Sequence, residues 1–360
     1  MSSVKPSSPA HASKRCRPFV RAIFSCALLV VLSVPALPNL AARAQQATQE
    51  TQRQRRVAEQ DEDDEVLRID TDLVMVDVTV MDAKGQVVRG LRAEDFKIYE
   101  DGEPRPVSFF NVERRGGAQR PVAVVFALDV SGSMTGEEML RLAGALRAFA
   151  EQLKEREAVF AVMSFGMNVK IQQNFTTDTR KLERSIERLA GDVNGLSTHA
   201  YDAVDDAIRL LVRGAPRTRQ NRLMKRAVVV VTDGFPVGDT VSPRTVIERA
   251  NASDVSVYSV TLPSYSRLLA SAEKAHSPLP TPLDVSGLVE KTGGTSIYAL
   301  DKDYGPLFKA LAEEVTSSYV LAFYPPEEKR RDGRTHSIRI EAPPGLHVRQ
   351  SRTSYKGNDR

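Results

Sequence analysis

Asp129, Ser131 and Ser133 stand at alternate positions just past the apolar run 121–128. An extended backbone turns residues i, i+2 and i+4 to one side, so one carboxylate and two hydroxyls converge at the mouth of a strand. Hard divalent cations take oxygen ligands of this kind. Helix capping is the other common use of such residues. Here Thr135-Gly136-Glu137-Glu138 already supplies a capping box, which leaves Ser131 and Ser133 without that task. A second apolar run, 227–231, ends in Thr232-Asp233-Gly234 and brings another carboxylate to the end of another buried strand. Between the two runs, Ser197-Thr198-His199-Ala200-Tyr201-Asp202-Ala203 places a loop hydroxyl where a helix opens.

In this order, the Asp-x-Ser-x-Ser string, the loop Thr and the Thr-Asp-Gly resemble the metal-ion-dependent adhesion site of von Willebrand factor type A domains. The resemblance covers roughly residues 119–318, a length typical of one domain. It implies that Asp129, Ser131, Ser133, Thr198 and Asp233 surround one divalent ion, magnesium first, with manganese or calcium as alternatives. Ser197 stands where Gly is common before the Thr, and Ala200 where Leu is common two residues after it. All five oxygen-bearing side chains are nevertheless in place. Two carboxylates would balance the ion without surplus anionic charge, so magnesium would still accept one more anionic oxygen. In the resembled family, a partner's Asp or Glu supplies it, or water when the site is empty. The hydroxyls would ligate directly and the aspartates largely through water.

These residues need a sheet to hold them. Strands are expected at 121–128, 158–165, 169–175, 227–231, 255–262 and 295–299, alternating with helical patterns. Met139, Leu142, Ala143, Leu146, Phe149, Ala150 and Leu153 form one helical stripe, and Val204, Ala207, Ile208 and Leu211 another. The alternation predicts an α/β fold: a doubly wound, mostly parallel sheet with helices on both faces. Ligands of such sheets bind beyond the carboxyl ends of strands, where strand order switches. The stretch 263–284 reads as a long insertion rich in Pro and Ser, with no role legible in it.

Flanking this domain, the pattern has period two. Val74, Val76, Val78 and Val80 alternate with Met75, Asp77, Thr79 and Met81, and 96–99 runs into an Asp101-Gly102 hairpin signal before a strand at 107–112. Period two returns at 319–324, 335–340 and 346–350. Neither set has much core of its own, and joining them would hide strand edges, so one small β-sandwich-like module is expected, with the α/β domain inserted in it. The first strand set and the ending Tyr319-Val320-Leu321-Ala322-Phe323-Tyr324-Pro325-Pro326 resemble the A-domain proteins common in acidobacteria, in which the metal domain sits between two β segments. The expected division is therefore 66–115, an N-terminal β segment; 119–318, the A domain; and 319–360, a C-terminal β segment.

Residues 1–44 carry Lys5, Lys14, Arg15, Arg17, Arg21 and Arg43 and no acid. The chain's formal charge of +4 thus becomes about −2 without them, and a nucleic-acid partner is excluded. The same segment reads as a secretory signal: a basic start, an apolar stretch at 22–34 and Ala42-Arg43-Ala44 as cleavage site. Its apolar run falls short of the ~20 residues of a membrane span, so no stable transmembrane anchor is expected. Cys16 and Cys26 would leave with the signal, and the mature chain would hold neither disulfides nor thiolate metal sites. Residues 45–65 read as a disordered linker ending in a solvated acidic run.

Metal-assisted hydrolysis would need a base beside the ion, and His199 is the one histidine near it in sequence. A histidine at a helix start more often serves as a surface or hydrogen-bonding residue. Asp205 and Asp206 read as a polar helix face. No G-x-S-x-G, H-E-x-x-H or G-x-x-x-x-G-K-[ST] motif occurs. The expectation is a secreted or periplasmic binding protein, not an enzyme, that takes an acidic side chain of a protein partner on its metal. A metal-stapled structural envelope protein and a metal-dependent hydrolase are the alternatives.

Overall fold

The structure is a computed structural model that describes residues 73–112, 119–131, 135–191, 197–219, 222–232, 238–262, 281–299, 301–316 and 319–358. The expected signal segment 1–44 and linker 45–65, Ser133, Asp233 and most of the expected 263–284 insertion lie outside the described residues. Leu67–Arg360 form one compact unit.

Its strands are β1 (Val74–Met81), β2 (Lys97–Glu100), β3 (Glu103–Arg105), β4 (Phe109–Val112), β5 (Val122–Asp129), β6 (Val159–Phe165), β7 (Lys170–Thr176), β8 (Thr218–Arg219), β9 (Arg222–Leu223), β10 (Lys225–Thr232), β11 (Val255–Thr261), β12 (Ser296–Tyr298), β13 (Tyr319–Phe323), β14 (Thr335–Glu341), β15 (His347–Gln350) and β16 (Ser354–Lys356). The longer helices are α1 (Gly136–Gln152), α2 (Thr179–Glu187), α3 (Ala200–Gly214), α4 (Pro243–Ser253) and α5 (Gly305–Thr316).

A six-stranded sheet in the order β12-β11-β10-β5-β6-β7 forms the α/β half. Every neighbouring pair is parallel except β6–β7. Every residue of β5 and β10 is buried, because helices cover both faces. Val122, Val124, Phe126 and Leu128 pack with the apolar stripe of α1 and with α2 and α5. Ala123, Val125 and Ala127 face α3 and α4 instead. This two-sided burial is why both runs are unbroken apolar stretches and not alternating ones. Phe126 meets Phe149 edge-on at 5.4 Å and stacks on Phe160 at 6.2 Å, a cluster that centres the first layer. Thr135 and Glu138 form the expected capping box of α1: Glu138 N donates to Thr135 Oγ1 at 3.2 Å, and Thr135 N donates to Glu138 Oε2 at 2.9 Å.

The two β segments interleave. One antiparallel sheet has the order β15-β1-β13-β4 and the other β16-β14-β2-β3, so each mixes strands from both chain ends. Val74, Val76, Val78 and Val80 share a core with Ile98, Leu321, Phe323, Ile338 and Ile340, which makes a small sandwich. Asp101 and Gly102 both have positive φ, as the tight β2–β3 hairpin turn requires. The strand expected over 107–112 begins only at Phe109. It pairs with β13, while Glu103–Arg105 completes the hairpin.

The other face of β1 meets the α/β half. Asp77 is buried there, with Arg120 Nη1 at 2.5 Å and Lys225 Nζ at 3.8 Å. Burial raises its carboxyl, but Arg120 and Lys225 outweigh that and hold it below the ordinary carboxylate range. Arg352 pairs with Asp254 at 3.1 Å, Thr353 N donates to Asn251 Oδ1 at 2.8 Å, and Arg349 pairs with Glu314 of α5. Asp205 departs from the polar face expected of it. It is buried and pairs with Arg209 at 2.8 Å and with Arg249, which reaches across from α4. Asp206 is exposed. At the end of the insertion, Pro282–Val285 forms a helical turn capped by Thr281 and Asp284.

Candidate metal centre

The chain leaves β5 on one side of the sheet to form β6 and later returns on the other side as β10. The crevice between β5 and β10 is thus the switch point of strand order, and Asp129 and Thr232 are the last residues of these strands. Asp129 is fully buried. Its Oδ1 accepts the Ser131 N–H at 2.9 Å, and its Oδ2 accepts the Thr232 hydroxyl at 2.7 Å. The residue just before Asp233 therefore orients Asp129. No local pattern marks Thr232 for this role.

Consecutive carbonyls at the end of β6 gather the other loops. Phe165 O accepts the Val130 N–H at 2.8 Å, and Gly166 O accepts the His199 N–H at 3.2 Å. Asp129 and Ser131 flank the first of these anchors, and Thr198 precedes the second. Ser131 and Thr198 are both buried to 6% exposure. Three of the five sequence-derived ligands thus lie at the same end of the sheet on adjoining segments. Ser133 and Asp233 lie outside the described residues. Among the described residues, this buried carboxylate with neighbouring hydroxyls fits a hard cation such as magnesium. Both oxygens of Asp129 already accept hydrogen bonds, which suits a carboxylate that meets an ion through water.

A second cluster borders this one. His199, Asp202 and Asp239 bring ligand-type atoms within 4.8 Å of one another. His199 Nδ1 lies 3.1 Å from Asp202 Oδ2. Asp202 also accepts N–H groups of Thr240 at 3.0 Å and Val241 at 2.8 Å, and the Thr240 hydroxyl at 3.0 Å. Its own N–H donates to Asp239 Oδ1 at 3.1 Å. Burial raises the Asp202 carboxyl, but the bonds from His199, Val241 and Thr240 outweigh it and hold it below the usual range. Asp239 is shifted upward, first by burial and then by the charge of Asp202. No motif in the sequence marks Asp202 and Asp239 as partners. The available signal was an Asp in the first turn of α3, where a carboxylate faces backbone donors.

Fold and site together define an α/β domain that gathers oxygen-bearing side chains at the switch point of its sheet. Residues 123–275 match the family model of the von Willebrand factor type A domain, and this part of the chain is a domain of that family. Integrin alpha-X of Homo sapiens is 24% identical over 151 residues, 41% of this chain and 13% of the integrin. Integrin alpha-M of Mus musculus is 26% identical over 155 residues, 43% of this chain and 13% of the integrin. The chain thus spans only about an eighth of the length of these relatives. A solved structure of an aerotolerance-related membrane protein from Bacteroides fragilis is 16% identical, with a TM-score of 0.40, over 54% of this chain and 98% of that one. Among the described residues, no helix is long and apolar enough to cross a membrane.

Proposed function

We propose that this is an exported binding protein whose A domain holds a divalent cation, magnesium first, on Asp129, Ser131, Ser133, Thr198 and Asp233. The ion takes an Asp or Glu side chain of a protein partner as its remaining ligand. The single observation that carries this reading is the buried Asp129 carboxylate at the switch point, with Ser131 and Thr198 gathered beside it by the β6 carbonyls. A carboxylate placed there has no role in the core packing, and its neighbours are the oxygens a hard ion takes. Binding at this ion involves no catalysis. His199 is committed to Asp202 through Nδ1, and its Nε2 lies against Gly238, where a Cβ would approach it to 2.9 Å. A general base needs a nitrogen turned to the ion's water.

The test is capture of a partner from the extracytoplasmic fraction by wild type and Asp129→Ala, each with magnesium and with chelator. The expected outcome is capture that needs both Asp129 and the metal. Capture of an unchanged set under all four conditions would refute the proposal.

A further inference from the structure

We infer that Asp202 is a positioning residue of the metal centre, clamping the segment that carries Thr198 to the segment that follows Asp233. This rests on the site proposed above and adds a residue that is not one of its ligands.

The clamp is double. Asp202 draws in the N–H groups of Thr240 and Val241 and the Thr240 hydroxyl, while its own N–H is held by Asp239. It also holds His199, whose N–H is fixed to Gly166 O. Four bonds thus tie 199–202 to 239–241 across 37 or more residues of sequence. Packing reinforces them. Gly238 has φ +93°, and a Cβ there would lie 2.8 Å from Ser197 Oγ and 2.9 Å from His199 Nε2. Glycine at 238 adopts this positive φ and leaves room for the Ser197 and His199 side chains, which a larger residue would displace. The chain that contains Asp233 is therefore anchored at Thr232 by the sheet and at 238–241 by Asp202, with five residues between.

The same three side chains could be taken for a further ion site. Their geometry argues otherwise, since the Asp202 carboxylate is spent on backbone and hydroxyl donors and Asp239 on the Asp202 N–H. Partners that support a ligand without touching the ion typically govern affinity by about 10–100-fold.

The test is titration of the full chain with manganese, for wild type, Asp202→Ala, Asp202→Asn, Thr240→Val and Gly238→Ala, with thermal unfolding of each metal-free protein alongside. The last two variants change no charge, so they separate the clamp from a simple field effect on the cation. Gly238→Ala and Asp202→Ala are expected to weaken manganese binding about 10–100-fold, Asp202→Asn and Thr240→Val less. If Asp202→Ala does not fold, Gly238→Ala and Asp202→Asn decide. A merely structural role would lower the metal-free melting temperature and leave the affinity of the folded fraction unchanged, and that result overturns the inference. Wild type that binds no manganese would instead refute the underlying site, so the two failures are distinct.

Discussion

The Thr232 hydroxyl donates to Asp129 Oδ2 at 2.7 Å, across the two central parallel strands of the sheet. Val231 pairs with Leu128 in the β10–β5 register, so Thr232 comes level with Asp129. One hydrogen bond thus joins the two strand ends from which the proposed ligands emerge.

Replacing Thr232 by Val keeps the shape and removes this donor from a buried carboxylate. The expected cost is about 1–3 kcal/mol, the usual penalty for a buried group that loses a partner. Chemical denaturation of metal-free protein measures it. A loss well below this range would mean that the bond does not hold Asp129 in place.

At the junction between the sandwich and the α/β half, Asp77 is buried against Arg120 and Lys225. Asp77→Ala removes the buried carboxylate that Arg120 and Lys225 face, and should destabilise the chain by about 3–5 kcal/mol. Asp77→Leu combined with Arg120→Met removes both partners of the closer pair and should cost less than Asp77→Ala alone. Equilibrium unfolding of the three proteins gives the comparison. Equal stability of Asp77→Ala and wild type would contradict the role assigned to the pair.

Much of the fold could be read from residue patterns, for physical reasons that differ by element. The Val-rich strands β5 and β10 are legible because two-sided burial demands an unbroken apolar run. The period two of β1 is legible for the opposite reason, since its two faces have different neighbours: a valine core on one side and the Arg120–Lys225 charges on the other. Asp205 departs from the expected polar face because its ion pair with Arg249 joins residues that no local pattern links. The bonds from Asp202 to 240–241 escape for the same reason: an Asp near a helix start suits capping, solvent or a distant loop equally well. Strand β16 is only three residues long, too short to leave a period of its own.

The sandwich should lose stability as the medium becomes basic. His336 Nδ1 lies 2.8 Å from Asp101, and its Nε2 lies 3.1 Å from Asp332. Burial lowers the imidazole's pKa, but these two carboxylates outweigh it and raise it above the ordinary value of 6.5. Asp101 and Asp332 are shifted below the usual carboxylate range. Since the folded pKa of the histidine is the higher one, its contribution is complete below the unfolded pKa and disappears as pH rises through the folded value. The carboxylates act in the opposite direction, and their contribution is lost only in acid. Melting temperature followed from about pH 6 to about pH 9 should fall in wild type and fall less in His336→Gln. Parallel profiles for the two proteins would show that His336 is not the group responsible.

The central claim is that one divalent ion sits at the switch point on Asp129, Ser131, Ser133, Thr198 and Asp233. Calorimetric titration of magnesium and manganese into wild type, Asp129→Ala and Asp233→Ala tests it most directly. The account predicts saturable binding of one ion by wild type. Affinity in each variant should be reduced about 10–100-fold or more, with the fold retained. Equal binding by all three proteins would contradict it.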